Sequence, residues 1–163
     1  GQMYSDTGEY SKARDCFRKA IQCLEEGKML PSWQTLFHIE LAKVTELGNG
    51  QAVNTRRLAN DYDDNKLEIN RGRMARGIGD ILLLTGDQDQ PETEFWIKRA
   101  IDADFRNGMI WSLGRDYALY GELFRKRGDK SRAEQNLNKA LEIFKGCGSE
   151  GWVEKTEKEM AAL

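Results

Sequence analysis

Residues Gly128–Phe144, GDKSRAEQNLNKALEIF, set a glycine ahead of Ala133, Leu137 and Ala140, three small or apolar residues on one helical face. The same arrangement stands near the start of the chain. There Gly8 precedes Ala13, Phe17 and Ala20 in GEYSKARDCFRKAI. Two copies in one phase make an internal repeat, and a repeat decides the architecture before any single element does. Each glycine can take the left-handed backbone conformation that ends one helix and turns into the next. The alanines, seven residues apart, let two helices approach closely, and Phe17 or Leu137 between them fills the neighbouring groove.

This pattern resembles the second helix of a tetratricopeptide repeat, which has a turn glycine, alanine, a large apolar residue and alanine at these offsets. Features of that family's first helix also occur: Tyr117 at the large aromatic position, Gly121 at the small crossing position and Phe124 three residues on. The resemblance implies an all-α chain, a right-handed α-solenoid of antiparallel helix pairs. It would hold about three to four repeats plus a C-terminal capping helix across residues 1–163. Gly8, Gly48, Gly86 and Gly128 recur at intervals of about forty. That period is similar to the long-repeat variant in bacterial signalling regulators, where such repeats follow ATPase, kinase or cyclase domains. HEAT and armadillo repeats share the period, but the glycine–alanine–alanine phase favours the tetratricopeptide reading.

Composition narrows the function classes. The 163 residues suffice to bury roughly 70% of the unfolded surface. Charged residues make up 32%, net charge is −2, and mean hydropathy is −0.70. Neither half is strongly basic, which speaks against a general nucleic-acid surface. The longest apolar cluster, Ile81–Leu84, is one helical turn, so membrane insertion is not expected. Three cysteines without metal-ligand spacing read as reduced thiols in a cytoplasmic protein.

Taken in order, the chain divides as follows. Gly1-Gln2-Met3 reads as the edge of a piece cut from a larger protein, with the first helix of its first repeat lying partly upstream. A helix is expected from about Tyr10 to Glu26, on the apolar set Ala13, Phe17, Ala20, Ile21 and Leu24. Pro31 opens the next helix, whose stripe is Trp33, Leu36, Phe37, Leu41, Val44 and Leu47 and whose stop is Gly48-Asn49-Gly50. A degenerate helix from about Gln51 to Asn60 follows, with Ala52, Leu58 and Ala59 inward. Asp61–Asn65 reads as a turn and cap; as a calcium loop it would need glycine where Lys66 stands and glutamate where Gly72 stands. The next helix spans about Lys66 to Thr85. Its glycines lack the lysine and serine or threonine of a phosphate loop, and Gly79 reads as a crossing position seven before Gly86. Gln88–Gln90 lengthen that turn. Helices from Pro91 to Ala103, Met109 to Arg127 and Lys130 to Lys145 follow, with a loop at Phe105–Gly108 and a final helix capped by Ser149.

In the resembling family the first helices line a concave face that holds peptides or partner helices. The matching positions here are Arg73, Arg76 and Asp80, then Arg115, Ala118, Glu122 and Arg125, with His38 facing the same way in the second repeat. The alternative is that these are solvated helix charges, Arg76 pairing with Asp80 four residues on. Relatives that clamp a chaperone's terminal carboxylate use basic and amide residues at these positions. Asp80 and Glu122 depart from that, and a mixed-charge groove fits a partner carrying both signs.

No catalytic set, metal site or cofactor is expected. His38, the one histidine, has no HExxH context and no assignable nucleophile, and Glu25-Glu26 or Asp63-Asp64 point apart on a helix. Cys147 lies between two glycines with nothing nearby to lower its pKa. Two function classes remain. The first is a protein–protein interaction module, the regulatory part of a signalling protein. The second is a self-assembling structural scaffold, stacked through an apolar face of Phe17 and Ile21 that a truncated first repeat would expose.

Overall fold

The computed structural model describes residues 1–28, 30–49, 53–86 and 91–163. Its helices are α1 (Gln2–Asp6), α2 (Tyr10–Glu26), α3 (Pro31–Asn49), α4 (Thr55–Asp63), α5 (Arg71–Leu84), α6 (Pro91–Arg106), α7 (Ile110–Lys126), α8 (Lys130–Gly146) and α9 (Glu150–Ala161). A 3₁₀ turn, Glu68–Asn70, precedes α5, and no strand occurs among the described residues. Each helix packs on its chain neighbours, and α5 also packs on both α3 and α7. The result is an all-α array of helix pairs, with α9 packed on α8.

The turns follow from glycine. Gly128 has φ +74°, a value a side chain would strain, and the chain reverses there with Asp129 N–H donating to the Phe124 carbonyl at 2.9 Å. Asp129 then accepts from the Arg132 N–H at 2.9 Å and caps α8. Gly8, Gly86, Gly108 and Gly148 share the positive φ. The repeated face is buried as its spacing requires: Ala13, Ala133 and Ala140 are 0% exposed, with Phe17 and Leu137 close behind. The crossing glycines admit a neighbouring helix. A Cβ on Gly121 would stand 2.7 Å from Leu137 Cγ, and one on Gly79 would stand 3.0 Å from Ile97 Cγ1.

The middle of the chain departs from the expected boundaries. Gly48 lies within α3 and turns nothing. The expected stop at Gly50 and the inward Ala52 fall outside the described residues, as do Gln88–Gln90. The next helix begins at Thr55, not Gln51, because Asn54 caps it by accepting from the Arg57 N–H at 3.0 Å. It runs on to Asp63, into the acidic stretch read as a turn, because Tyr62 is needed in the core. Tyr62 is 1% exposed and meets Trp96 edge-on at 5.1 Å. The following helix starts at Arg71 rather than Lys66. The Asn65 side chain bonds both the N–H and the carbonyl of Leu67, which holds the chain in a turn first. Helix α6 extends to Arg106, beyond Ala103, so the expected loop at Phe105–Gly108 shortens to the turn at Asn107 and Gly108. Ser149 holds the N-cap position of α9 without making the cap bond; its hydroxyl accepts from Trp111 Nε1 at 3.2 Å.

The apolar face expected to be open on the first repeat is closed. Phe17 is 4% exposed and Ile21 6%. Tyr4 of α1 and Phe37 and Leu41 of α3 pack on the cluster that contains Phe17, whose ring centroid lies 6.1 Å from that of Phe37.

Candidate functional site

Alternate helices share one cavity of about 340 Å³. Its lining comes from α1, α3, α5, α7 and α9, with Gly8 of the turn between α1 and α2 and Tyr10 at the start of α2. Helical spacing aims the side chains inward as stripes: Arg76, Asp80 and Leu83 on α5, Arg115, Ala118 and Glu122 on α7, and Trp152, Lys155 and Glu159 on α9.

The floor is ionic. Arg76 is 4% exposed, and its Nη1 donates to Asp116 Oδ1 at 2.7 Å, to the Ser112 carbonyl at 3.1 Å and to Asp104 Oδ2 at 3.4 Å. Burial raises both carboxyls, and Asp116 is pushed up to about 7, the charge of Asp104 adding to burial and Arg76 opposing it. The other oxygen of Asp116 is buried with no hydrogen-bond partner. Both carboxyls lean on the one Arg76 guanidinium, and burial disfavours ionising both. Gly72 makes room for them, since a Cβ there would meet the Asp104 carboxylate.

A second network flanks the first. Lys43 on α3 lies 3.0 Å from Asp80 and 3.7 Å from Glu40, and Arg73 Nε donates to Glu40 at 3.0 Å. Burial alone would raise Glu40, but Lys43 and Arg73 outweigh it and hold this carboxyl at about 2. Arg73 also donates to Gln2 of α1 at 2.8 Å. At the rim Arg125 takes both oxygens of Glu122, at 2.6 and 2.7 Å. Burial raises Glu159 nearby, with Lys155 opposing.

Of the residues singled out from sequence, Arg76, Asp80, Arg115, Ala118 and Glu122 come together in this lining. Arg73 adjoins it through Glu40, and Arg125 stands outside, reaching it through Glu122. His38 is placed elsewhere, exposed and 4.0 Å from Glu25 of α2. Arg76 and Asp80 do not pair with each other, because acids on other helices reach Arg76 first and Lys43 reaches Asp80. Sequence reading missed Asp6, Lys43, Lys126, Trp152, Lys155 and Glu159. For Lys43 there was a signal. Asp80 and Glu122 each stand six residues before a turn glycine, and six before Gly48 is Ala42, one short of Lys43. Counting from Asn49, the last described residue of α3, finds it.

Among the described residues no group of three or more His, Cys, Asp or Glu could hold a metal ion, and no helix is long and apolar enough to cross a membrane. A family model, Tetratricopeptide repeat, matches residues 1–22 and 117–147, the two stretches that carry the repeated face. No curated protein and no solved structure matches the chain.

Proposed function

Since a tetratricopeptide-repeat model matches both ends of the chain, and such repeats are in general protein–protein interaction modules, we propose that it holds a peptide or partner helix in the cavity its alternate helices share. The observation that carries this reading is the lining itself. Helices α1, α3, α5, α7 and α9 each contribute charged or aromatic side chains to one cavity, interleaved with apolar Leu47, Leu83, Ala118 and Leu119. A stacked array builds such a surface along its inner side, where an extended segment can touch several repeats at once. The proposal extends to a role as the regulatory part of a cytoplasmic signalling protein, a reading supported by the likeness of the long repeat to that of bacterial signalling regulators. The right-handed winding of the array, and residues 1–163 acting as one unit, belong to the same proposal. Burial of Phe17 and Ile21 weighs against stacking into a scaffold through that face.

A selection of random dodecapeptides displayed on phage tests the reading. Peptides held in the cavity lose binding to the rim variant Glu122→Lys/Lys155→Glu while its helix content stays unchanged. Selected peptides that bind this variant as well as the parent chain would move the binding surface elsewhere.

A further inference from the structure

One buried cation in the cavity is short of partners. The Arg115 side chain is 9% exposed, and among the described residues its guanidinium makes one ion pair, from Nη2 to Asp6 Oδ1 at 3.3 Å, across from α7 to α1. Arginine offers five N–H donors in a planar fork that matches both oxygens of one carboxylate. Neighbouring acids are engaged elsewhere: Asp116 and Asp104 by Arg76, Asp80 by Lys43, and Glu122 by Arg125. Beside Arg115 stand aromatic rings, with Trp152 at 4.7 Å and Trp111 at 5.4 Å from the guanidinium carbon. Burial and the nearby Arg76 lower its pKa, against the pull of Asp6. A dehydrated guanidinium held by a single oxygen of a partly exposed carboxylate has capacity for a better-placed anion.

We infer that Arg115 receives an acidic side chain of a partner peptide, and that Asp6 occupies its place until that side chain displaces it. This rests on the cavity reading above. A peptide fits better than a small free anion, because the lining runs from α1 to α9 and includes Leu47, Leu83, Leu119 and Trp152, which a small anion would leave uncovered. One acidic residue suffices, since among the described residues one buried cation of the lining is short of partners. Asp6 is displaceable, since its side chain is 32% exposed.

The selected dodecapeptides, resynthesised with both ends blocked, provide the probe, and fluorescence anisotropy gives Kd. The expected result is an acidic residue at one shared position. Its change from Glu to Gln weakens binding about tenfold or more to the parent chain, the range of a hydrogen bond to a charged group, and has little effect on Arg115→Gln. Asp6→Asn tightens binding severalfold. Because Arg115→Gln could disturb the cavity, Asp6→Asn is read independently, and unchanged or weaker binding there overturns the displacement. Peptides lost to Glu122→Lys/Lys155→Glu yet indifferent to Arg115→Gln and Asp6→Asn would overturn this inference and leave the cavity reading standing. If no selected peptide responds to the rim variant, both fall.

Discussion

Arg76 Nη1 on α5 lies 2.7 Å from Asp116 Oδ1 on α7, and both side chains are shut off from solvent. The pair ties two first helices together beneath the cavity, with Asp104 of α6 as third member. A buried ion pair adds little over a well-packed apolar pair, but removing one partner leaves an uncompensated charge. Arg76→Met is therefore expected to destabilise the chain by about 3–5 kcal/mol, measured by urea unfolding. A loss below about 1 kcal/mol would mean that the two carboxyls do not depend on Arg76. A charge reversal here reports on folding, so binding is better probed at the rim.

Stability is expected to fall as pH rises toward neutrality. Asp116 holds its proton up to about 7 in the folded chain, against about 4 for an unfolded aspartate. Between these values the folded chain binds the extra proton, so unfolding becomes easier as pH rises, by at most about 1.4 kcal/mol per pH unit. Glu40, held at about 2, acts in the opposite sense, and its stabilising effect is lost as pH falls below the unfolded glutamate value. Urea unfolding across pH should show both limbs. Asp116→Asn is expected to flatten the upper limb alone, and a slope that persists in this variant would place the proton elsewhere.

Two glycine substitutions should move stability in opposite directions. A Cβ on Gly121 would lie 2.7 Å from Leu137 Cγ and 3.3 Å from the Ala133 carbonyl oxygen, so Gly121→Ala forces α7 from α8 and costs about 1–3 kcal/mol. Gly151 in α9 has nothing within 4 Å, so Gly151→Ala gains from helix propensity, up to about 1 kcal/mol. Thermal melts of the two variants distinguish close approach from backbone entropy; equal shifts of one sign would remove the crossing role of Gly121.

Phe17→Ala separates burial from a stacking face. Burial under α1 and α3 predicts a loss of about 3–5 kcal/mol. A stacking face predicts instead that an oligomer dissolves with little change in protomer stability. Light scattering beside a denaturant titration reads both quantities.

The ends of the chain were legible because their repeats keep the spacing that helix packing demands. Ala133, Leu137 and Ala140 sit where the pattern puts them, and Gly121 meets Leu137 as a crossing glycine should. The second repeat was harder to read. Gly48 lies inside α3, so counting six back from it gives Ala42, one short of Lys43, and His38 stands away from the cavity. Tyr62 was hidden among aspartates, where local polarity argues for a turn, yet contact with Trp96 and Leu58 outweighs local preference.

By itself the sequence determined the helices at both ends of the chain and their glycine turns, since glycine conformation and apolar period are local properties of adjacent residues. It also placed Arg76, Asp80, Arg115, Ala118 and Glu122 on one kind of helix face. Only the tertiary structure decided which charge meets which. Arg76 finds Asp116 forty residues on, Lys43 finds Asp80 thirty-seven on, and Arg115 finds Asp6 across 109 residues. These partners come from separate helices, so no spacing along the chain encodes them. They exist because packing brings helices far apart in the chain, such as α1 and α7, to line one cavity.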